Sequence, residues 1–454
     1  NFTGDLFRIA DRPVSLALGG EFTKYTGEVV VNPINLVGEG DNYNASNVAG
    51  SYDTTQGYAE LQIPVLSNRP YAEELEVNLA ARAAHYSTFG NQTTYKAGVR
   101  YSPIRDVTLR GTFSTAYRAP GVTDLYSGAS ESFPSVSDPC GDLTGASQTV
   151  IERCALQGVG PAGSGDESTQ LKEFIGGNPN VEPETADIFT LGVVVQPRML
   201  PNFSATVDYF NTAIDNAIGA VGAANILSGC IALNYGPYCA AITRDPNTHQ
   251  IVGIDDLTTN FAKLDVSGVD IGVRYALPTE FGRFGFQFNG AYLAKYEETL
   301  PSTQVIDGRG NYDLGTNPKF KALAGLTWGL GNFGAGWTTR YIGSFKECMN
   351  NNPADANFGT GTGGLCYTGG SNFVGASALD WDPSIERTIS AYYLHDIVLS
   401  YGAKWGAGKT AIQLGMSNVF DGRPPRVYNS FLTYADTDYQ FAGRTVYARL
   451  QQNF

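Results

Sequence analysis

A two-residue rhythm sustained over unusually long segments constrains this chain more than any other feature. Val107, Leu109, Phe113 and Tyr117 share one face of a segment whose other face carries Thr108, Arg110, Thr112 and Ser114. The preceding segment sets Tyr95, Ala97, Val99 and Tyr101 against Lys96, Gly98, Arg100 and Ser102. Val269, Ile271, Val273, Tyr275 and Leu277 oppose Asp270, Gly272 and Arg274, and at the chain end Val446, Ala448, Leu450 and Phe454 oppose Thr445, Tyr447, Arg449, Gln451 and Asn453. Neighbouring side chains of a strand point to opposite faces, so each ribbon is apolar on one side and polar on the other. Strands of soluble sheets average about five or six residues. These segments run about 10 to 15, the length of a tilted strand crossing ~25 Å of hydrocarbon between aromatic girdles. The expected fold is all-β, a transmembrane antiparallel up-and-down β-barrel.

No run of residues approaches the ~18 apolar positions of a membrane helix. A barrel escapes that requirement, because its ladder satisfies the backbone internally and only alternate residues need be apolar. Charged residues are 16% of the chain, while 54 of its 454 residues are Gly and Tyr, Phe and Trp number 26, 24 and 4. The net charge of −14 repels nucleic acid, whose binding depends on Lys and Arg displacing counterions.

Connections alternate as strictly as side chains. Short links follow the segments ending near Ala10, Leu66, Pro103, Pro197, Leu277, Leu330 and Ala403. Long links cover roughly 27–54, 119–183, 216–259, 298–318, 343–388 and 421–439, with one short member near Phe89. Outer-membrane barrels have short periplasmic turns and long external loops, so the long links are expected outside and the C-terminus in the periplasm. The count is about 15 strands, whereas bacterial single-chain barrels are even-numbered. Asn1 to Phe7 already reads as a strand, so residues 1–454 are expected to form the C-terminal part of a barrel domain that begins upstream.

Cys140, Cys154, Cys230, Cys239, Cys348 and Cys366 all fall in long links, two in each of three. Locality selects the pairs Cys140–Cys154, Cys230–Cys239 and Cys348–Cys366 among fifteen connectivities. Disulfides fit an oxidising compartment such as the periplasm or cell surface. Closing a loop of about 15 residues contributes about 3 kcal/mol in the chain-entropy description. A zinc site is not indicated: no C-x-x-C occurs, and His249 is the single histidine of these loops.

Four motifs in order resemble the C-terminal part of TonB-dependent outer-membrane receptors. Ser114 to Pro120, containing Arg118-Ala119-Pro120 and followed by Asp124-Leu125-Tyr126, resembles the family's barrel signature. Asn178-Pro179-Asn180-Val181-Glu182-Pro183-Glu184 is similar to its Asn-Pro-x-Leu-x-Pro-Glu stretch. Ser417-Asn418-Val419-Phe420-Asp421 resembles Asn-Leu-Phe-Asp after the penultimate strand, and Gly443-Arg444-Thr445-Val446-Tyr447 to Phe454 resembles the closing strand. The resemblance implies a barrel of 22 strands, with the plug domain, the TonB box and about seven strands lying outside this chain. Independently of family, Pro120 cannot donate to a ladder and so marks a strand end. Asn178-Pro179 and Glu182-Pro183 favour extended chain over helix.

G-x-G-x-x-G occurs at Gly158, Gly329 and Gly359, but none opens a helix after a strand within a βαβ unit. His395 and Asp396 are adjacent in a strand and point apart. Asp255-Asp256 and Glu297-Glu298 sit at loop margins, where solvated charge is expected. No catalytic residue, metal site or cofactor is expected, and the chain is not read as an enzyme. Tyr235, Tyr238, Tyr367, Asp380, Trp381 and Asp382 combine aromatic faces with carboxylates in the loops and are the candidate ligand contacts. The resemblance implies a bacterial outer-membrane receptor for active uptake of a scarce nutrient. Its expected partners are membrane lipid, lipopolysaccharide, the TonB complex and a small or oligomeric nutrient. A passive porin and a non-transporting surface barrel are the rival readings.

Overall fold

The computed structural model describes residues 1–9, 11–37, 46–134, 136–166, 168, 170–303, 305–312, 315–347, 387–405, 408–427 and 439–453. One antiparallel sheet runs through β1 (Phe2–Ile9), β2 (Arg12–Val29), β3 (Val48–Arg69), β4 (Ala72–Tyr86), β5 (Gly90–Ile104), β6 (Val107–Arg118), β9 (Glu184–Val195), β10 (Phe203–Gly219), β13 (Thr259–Thr279), β14 (Gly282–Thr299), β16 (Phe320–Leu330), β17 (Phe333–Ile342), β20 (Tyr392–Trp405), β21 (Gly408–Ser417) and β22 (Thr445–Asn453). With β15 (Val305–Asp307) on the loop end of β14 it is 16-stranded. Every long strand pairs with its successor along the path, which is the up-and-down order expected. Short elements lie between: β7 (Ser130–Ser132), β8 (Glu173–Gly176), β11 (Ile242–Arg244), β12 (Ile251–Leu257), β18 (Phe345–Glu347) and β19 (Arg387–Ile389). The helices are α1 (Pro33–Leu36), α2 (Val122–Tyr126), α3 (Gln148–Leu156), α4 (Ala223–Ile231) and α5 (Gly236–Ala240).

Register carries the alternation from strand to strand. Arg110 lies opposite Gly192, Gly192 opposite Asp208, and Asp208 opposite Asp270, so four strands present these positions on one face. On the other face Phe113 meets Phe189, Leu191 lies between Gly111 and Tyr209, and Tyr209 meets Val269. Phe113, Phe189, Leu191, Val207 and Tyr209 are exposed. A stripe of exposed large apolar residues is what a hydrocarbon-facing wall requires. On the polar face Arg110 reaches across Gly192 to grip Asp208 through two bonds, Nε to Oδ1 at 2.7 Å and Nη2 to Oδ2 at 2.6 Å. A Cβ at Gly192 would collide with the Asp208 carboxylate, so glycine is what opens the space for this bridge.

The connections alternate as anticipated. Links after β1, β3, β5, β9, β13, β16 and β20 are short, and those after β2, β6, β10, β14, β17 and β21 are long, with 87–89 the short exception on the long-loop side. The strands run further into the loops than the sequence suggests: β2 continues to Val29, and β3 begins at Val48 and ends at Arg69. Pro64 interrupts the β3 ladder at a register shift between Pro64 and Leu66, a place where a missing donor is tolerated. The clusters of buried apolar residues formed by the described residues lie at the long-loop rim. The wall itself has a lipid-type face and a polar face, so the dry core belongs to the loops.

Candidate functional site

The loops 119–183 and 220–258 meet at this rim and fold into one unit. β8 pairs in parallel with β12, and the small sheet runs β11-β12-β8-β7. Parallel pairing here joins two loops that are far apart in sequence. Ser147 caps α3 by accepting from the Val150 N–H, and Pro237 occupies the first turn of α5, where its missing N–H costs nothing. Cys140–Cys154 and Cys230–Cys239 are disulfides with Cα separations of 5.7 and 4.7 Å. Cys140, Cys154 and Cys230 are fully buried among Leu227, Ile226, Ile231 and Ile254.

Tyr238 is buried in this core, with Tyr235 edge-on to it at 4.8 Å between centroids. Burial, then Tyr235, Asp256 and Glu298, push the Tyr238 hydroxyl up to about 12. Tyr367, Asp380, Trp381 and Asp382, with Cys348, Cys366 and Phe454, lie outside the described residues. A second aromatic group, not singled out in the sequence, lines the rim: Tyr25 stacks on Tyr52 at 4.9 Å, Tyr86 on Phe89 at 4.5 Å, and the Tyr86 and Tyr117 hydroxyls are 3.2 Å apart. α2 lays Leu125 and Tyr126 over Tyr52 and Tyr86. Four strands supply these rings, so only cross-strand register could have revealed the row.

Three acids of the loop unit, Asp138, Glu173 and Asp256, are buried. Asp138 and Arg244 form a fork, Oδ2 to Nη1 at 2.6 Å and Oδ1 to Nη2 at 2.8 Å. The expectation of solvated charge at Asp255-Asp256 holds for exposed Asp255 and fails for Asp256, which is 3% exposed and accepts the N–H groups of Val221 and Gly222, each at 2.8 Å. Glu173 lies beside it, accepts from the Ala223 N–H at 2.9 Å and is 6% exposed. The place of Asp256 at a loop margin hides this, because nothing local shows that a second loop covers it.

The motif residues turn out to be joints between wall and loops. Arg118 closes β6 and donates to Asp124 at 3.2 Å and to Glu184 at 2.8 Å, while Glu184 also accepts from the Ile218 N–H. Ala119 and buried Pro120 then lead into α2. Asn178 donates its N–H to Asp124, and its side chain accepts from Asn180; Pro179 follows, and Pro183 is buried just before β9. Phe420 packs edge-on against His395 at 5.1 Å, Asp421 accepts from the Arg444 N–H at 2.9 Å, and Gly443 stands beside that carboxylate.

Asn418 is buried at φ 52°, and its amide donates to the Gly422 carbonyl at 2.9 Å and accepts from the Gly422 N–H at 2.7 Å. Asn tolerates this left-handed backbone better than most residues. Asn418→Ala is expected to destabilise the joint by about 1–3 kcal/mol through the orphaned Gly422 groups. Denaturant titration of the folded protein checks it, and an unchanged midpoint would show that the ring around Gly422 carries no weight.

The family described as TonB dependent receptor-like, beta-barrel, matches residues 1–419. The chain belongs to that family. A search of curated proteins finds no match. Among solved structures, the siderophore receptor PirA from Acinetobacter baumannii superposes with a TM-score of 0.59 at 16% identity over 96% of this chain and 52% of its own. A mutant ferric enterobactin receptor, PfeA, from Pseudomonas aeruginosa in complex with enterobactin superposes with 0.60 at 16% identity over 99% and 53%. The FrpB iron transporter from Neisseria meningitidis scores 0.51 at 13% identity over 99% and 53%. At these identities the likeness concerns the fold, and this TonB-dependent receptor barrel spans about half the length of the structures it resembles. No helix among its described residues is long and apolar enough to cross a membrane.

Proposed function

We propose that this barrel serves TonB-driven uptake of a scarce nutrient across the bacterial outer membrane. The observation that carries the reading is the exposed apolar face of the fifteen-strand path, backed by a polar face, in a chain of the TonB-dependent receptor family. The apolar face meets membrane lipid, with lipopolysaccharide around the long-loop rim. On this reading the disulfide-tied loops face outward, the short turns and the C-terminus face the periplasm, and the plug and TonB box belong to the remainder of the receptor. Tyr235, held from behind by Tyr238, together with Tyr367, Asp380, Trp381 and Asp382, contributes ligand contacts. Solved relatives whose names specify siderophores make ferric siderophores the first ligand class to test.

Uptake of radiolabelled ferric enterobactin and of other ferric siderophores should be followed in cells whose own receptors are deleted and which express the intact protein. Uptake of at least one is expected, and it should cease when TonB is deleted or the proton gradient is collapsed. Transport that survives both treatments would make the protein a passive pore and overturn the reading.

A further inference from the structure

The seam between the two disulfide-tied loops is closed by acid against acid. β8 and β12 run parallel with Glu173 opposite Ile254 and Ile175 opposite Asp256, so Glu173 and Asp256 share a face of the small sheet as diagonal neighbours. Both are buried. Asp256 spends both carboxylate oxygens on consecutive N–H groups, Val221 and Gly222, and Glu173 spends Oε1 on the next one, Ala223. Three successive donors at the start of α4 are thus held jointly by one residue from each loop.

The groups around this pair supply little positive charge. From β7, the Ser132 side chain hydrogen-bonds Glu173. Glu131 and Lys172 pair with each other at 2.8 Å and belong to the opposite face of the sheet, since Glu131 is registered with Phe174. From α5 comes the Tyr238 hydroxyl, a neutral group that feels the charge of Asp256 and of a further acid, Glu298. Among the described residues no ion pair reaches either Glu173 or Asp256. Two negative charges side by side in a dry seam repel strongly. With Asp256 committed on both oxygens, the remaining oxygen of Glu173 is the place for a shared proton.

We propose that Glu173 and Asp256 form a proton-dependent latch, which joins the two loops while the pair holds one proton and loosens the seam when that proton leaves. Burial first, and Asp256 second, hold the Glu173 carboxyl above its usual range. An acid raised in the folded state stabilises it fully at low pH and loses that contribution as pH rises through the folded-state value. The latch is therefore shut in acid and weakens towards alkaline conditions. It is a property of the loop seam whatever the barrel carries.

Hydrogen exchange on the intact protein in detergent tests it at the amides of Val221, Gly222 and Ala223, after correction for intrinsic base catalysis. Protection is expected to fall with pH, by up to about tenfold per unit, between the ordinary carboxylate range and the raised folded-state value, and to level off above it. Glu173→Gln keeps the bond to Ala223 and offers Asp256 a permanent donor, so its protection should stay high and flat. A flat profile in the wild type, or an unaltered decline in Glu173→Gln, would overturn the latch. Should that variant fail to fold, infrared spectra of isotope-labelled glutamate in the wild type decide. A protonated carboxyl band persisting above about pH 6 supports the latch, and its absence refutes it.

Discussion

Asp138→Ala is expected to destabilise the loop unit by about 3–5 kcal/mol, because it leaves a guanidinium buried without its counter-charge. The Arg244 side chain is 6% exposed and that of Asp138 0%. The same carboxylate accepts from the Cys140 N–H at 2.9 Å and from the Ser164 hydroxyl at 3.1 Å, so its removal orphans three donors together. Replacing both partners with apolar residues of similar volume, Asp138→Leu with Arg244→Met, should recover most of the loss, since no buried charge then remains. Limited proteolysis of the loop between 138 and 164 reads the effect, with heat-modified gel mobility of the barrel as an internal control. Resistance equal to the wild type in the single variant would refute the claim that this pair organises the loops.

Leu191→Arg should cost about 2–4 kcal/mol in a bilayer if Leu191 sits near its midplane, and less towards either interface. Leu191 is 55% exposed and flanked in register by Gly111 and Tyr209, so a guanidinium there has hydrocarbon as its surroundings. Thr190 provides the contrast. It lies on the face of Arg110 and Asp208, between Thr112 and Phe210, and Thr190→Arg should be close to neutral because that wall is already polar. Urea titration of the intact protein folded into lipid vesicles compares the two. If Thr190→Arg were the damaging change and Leu191→Arg the silent one, the assignment of faces would be inverted.

The wall was legible because its cause is local. A strand sends successive side chains to opposite sides, so Val107 to Tyr117 and Val269 to Leu277 announce their faces without reference to any distant residue. Short turns and long loops follow from where those runs stop. Neighbouring cysteines such as Cys140 and Cys154, or Cys230 and Cys239, pair because the chain between them is short, and both bridges are present. Boundaries were less legible: the ends of β2 and β3 are held by pairing with each other, from Val29 with Val48 onwards, rather than by composition.

The loop unit is a different matter. Asp255-Asp256 looks like an exposed acidic margin until β8 arrives beside β12 and α4 offers its N–H groups. Asp138 and Arg244 are separated by 106 positions, and nothing in either neighbourhood names the other. A two-faced antiparallel wall, its strand order and its local staples can be read from the residues alone, because these depend on spacing along one ribbon. Tertiary structure alone decided which loops meet, which acids lose their water and where aromatic rings from four strands gather. Those outcomes depend on distances between segments, set only once the strands have brought the loop ends to a common rim.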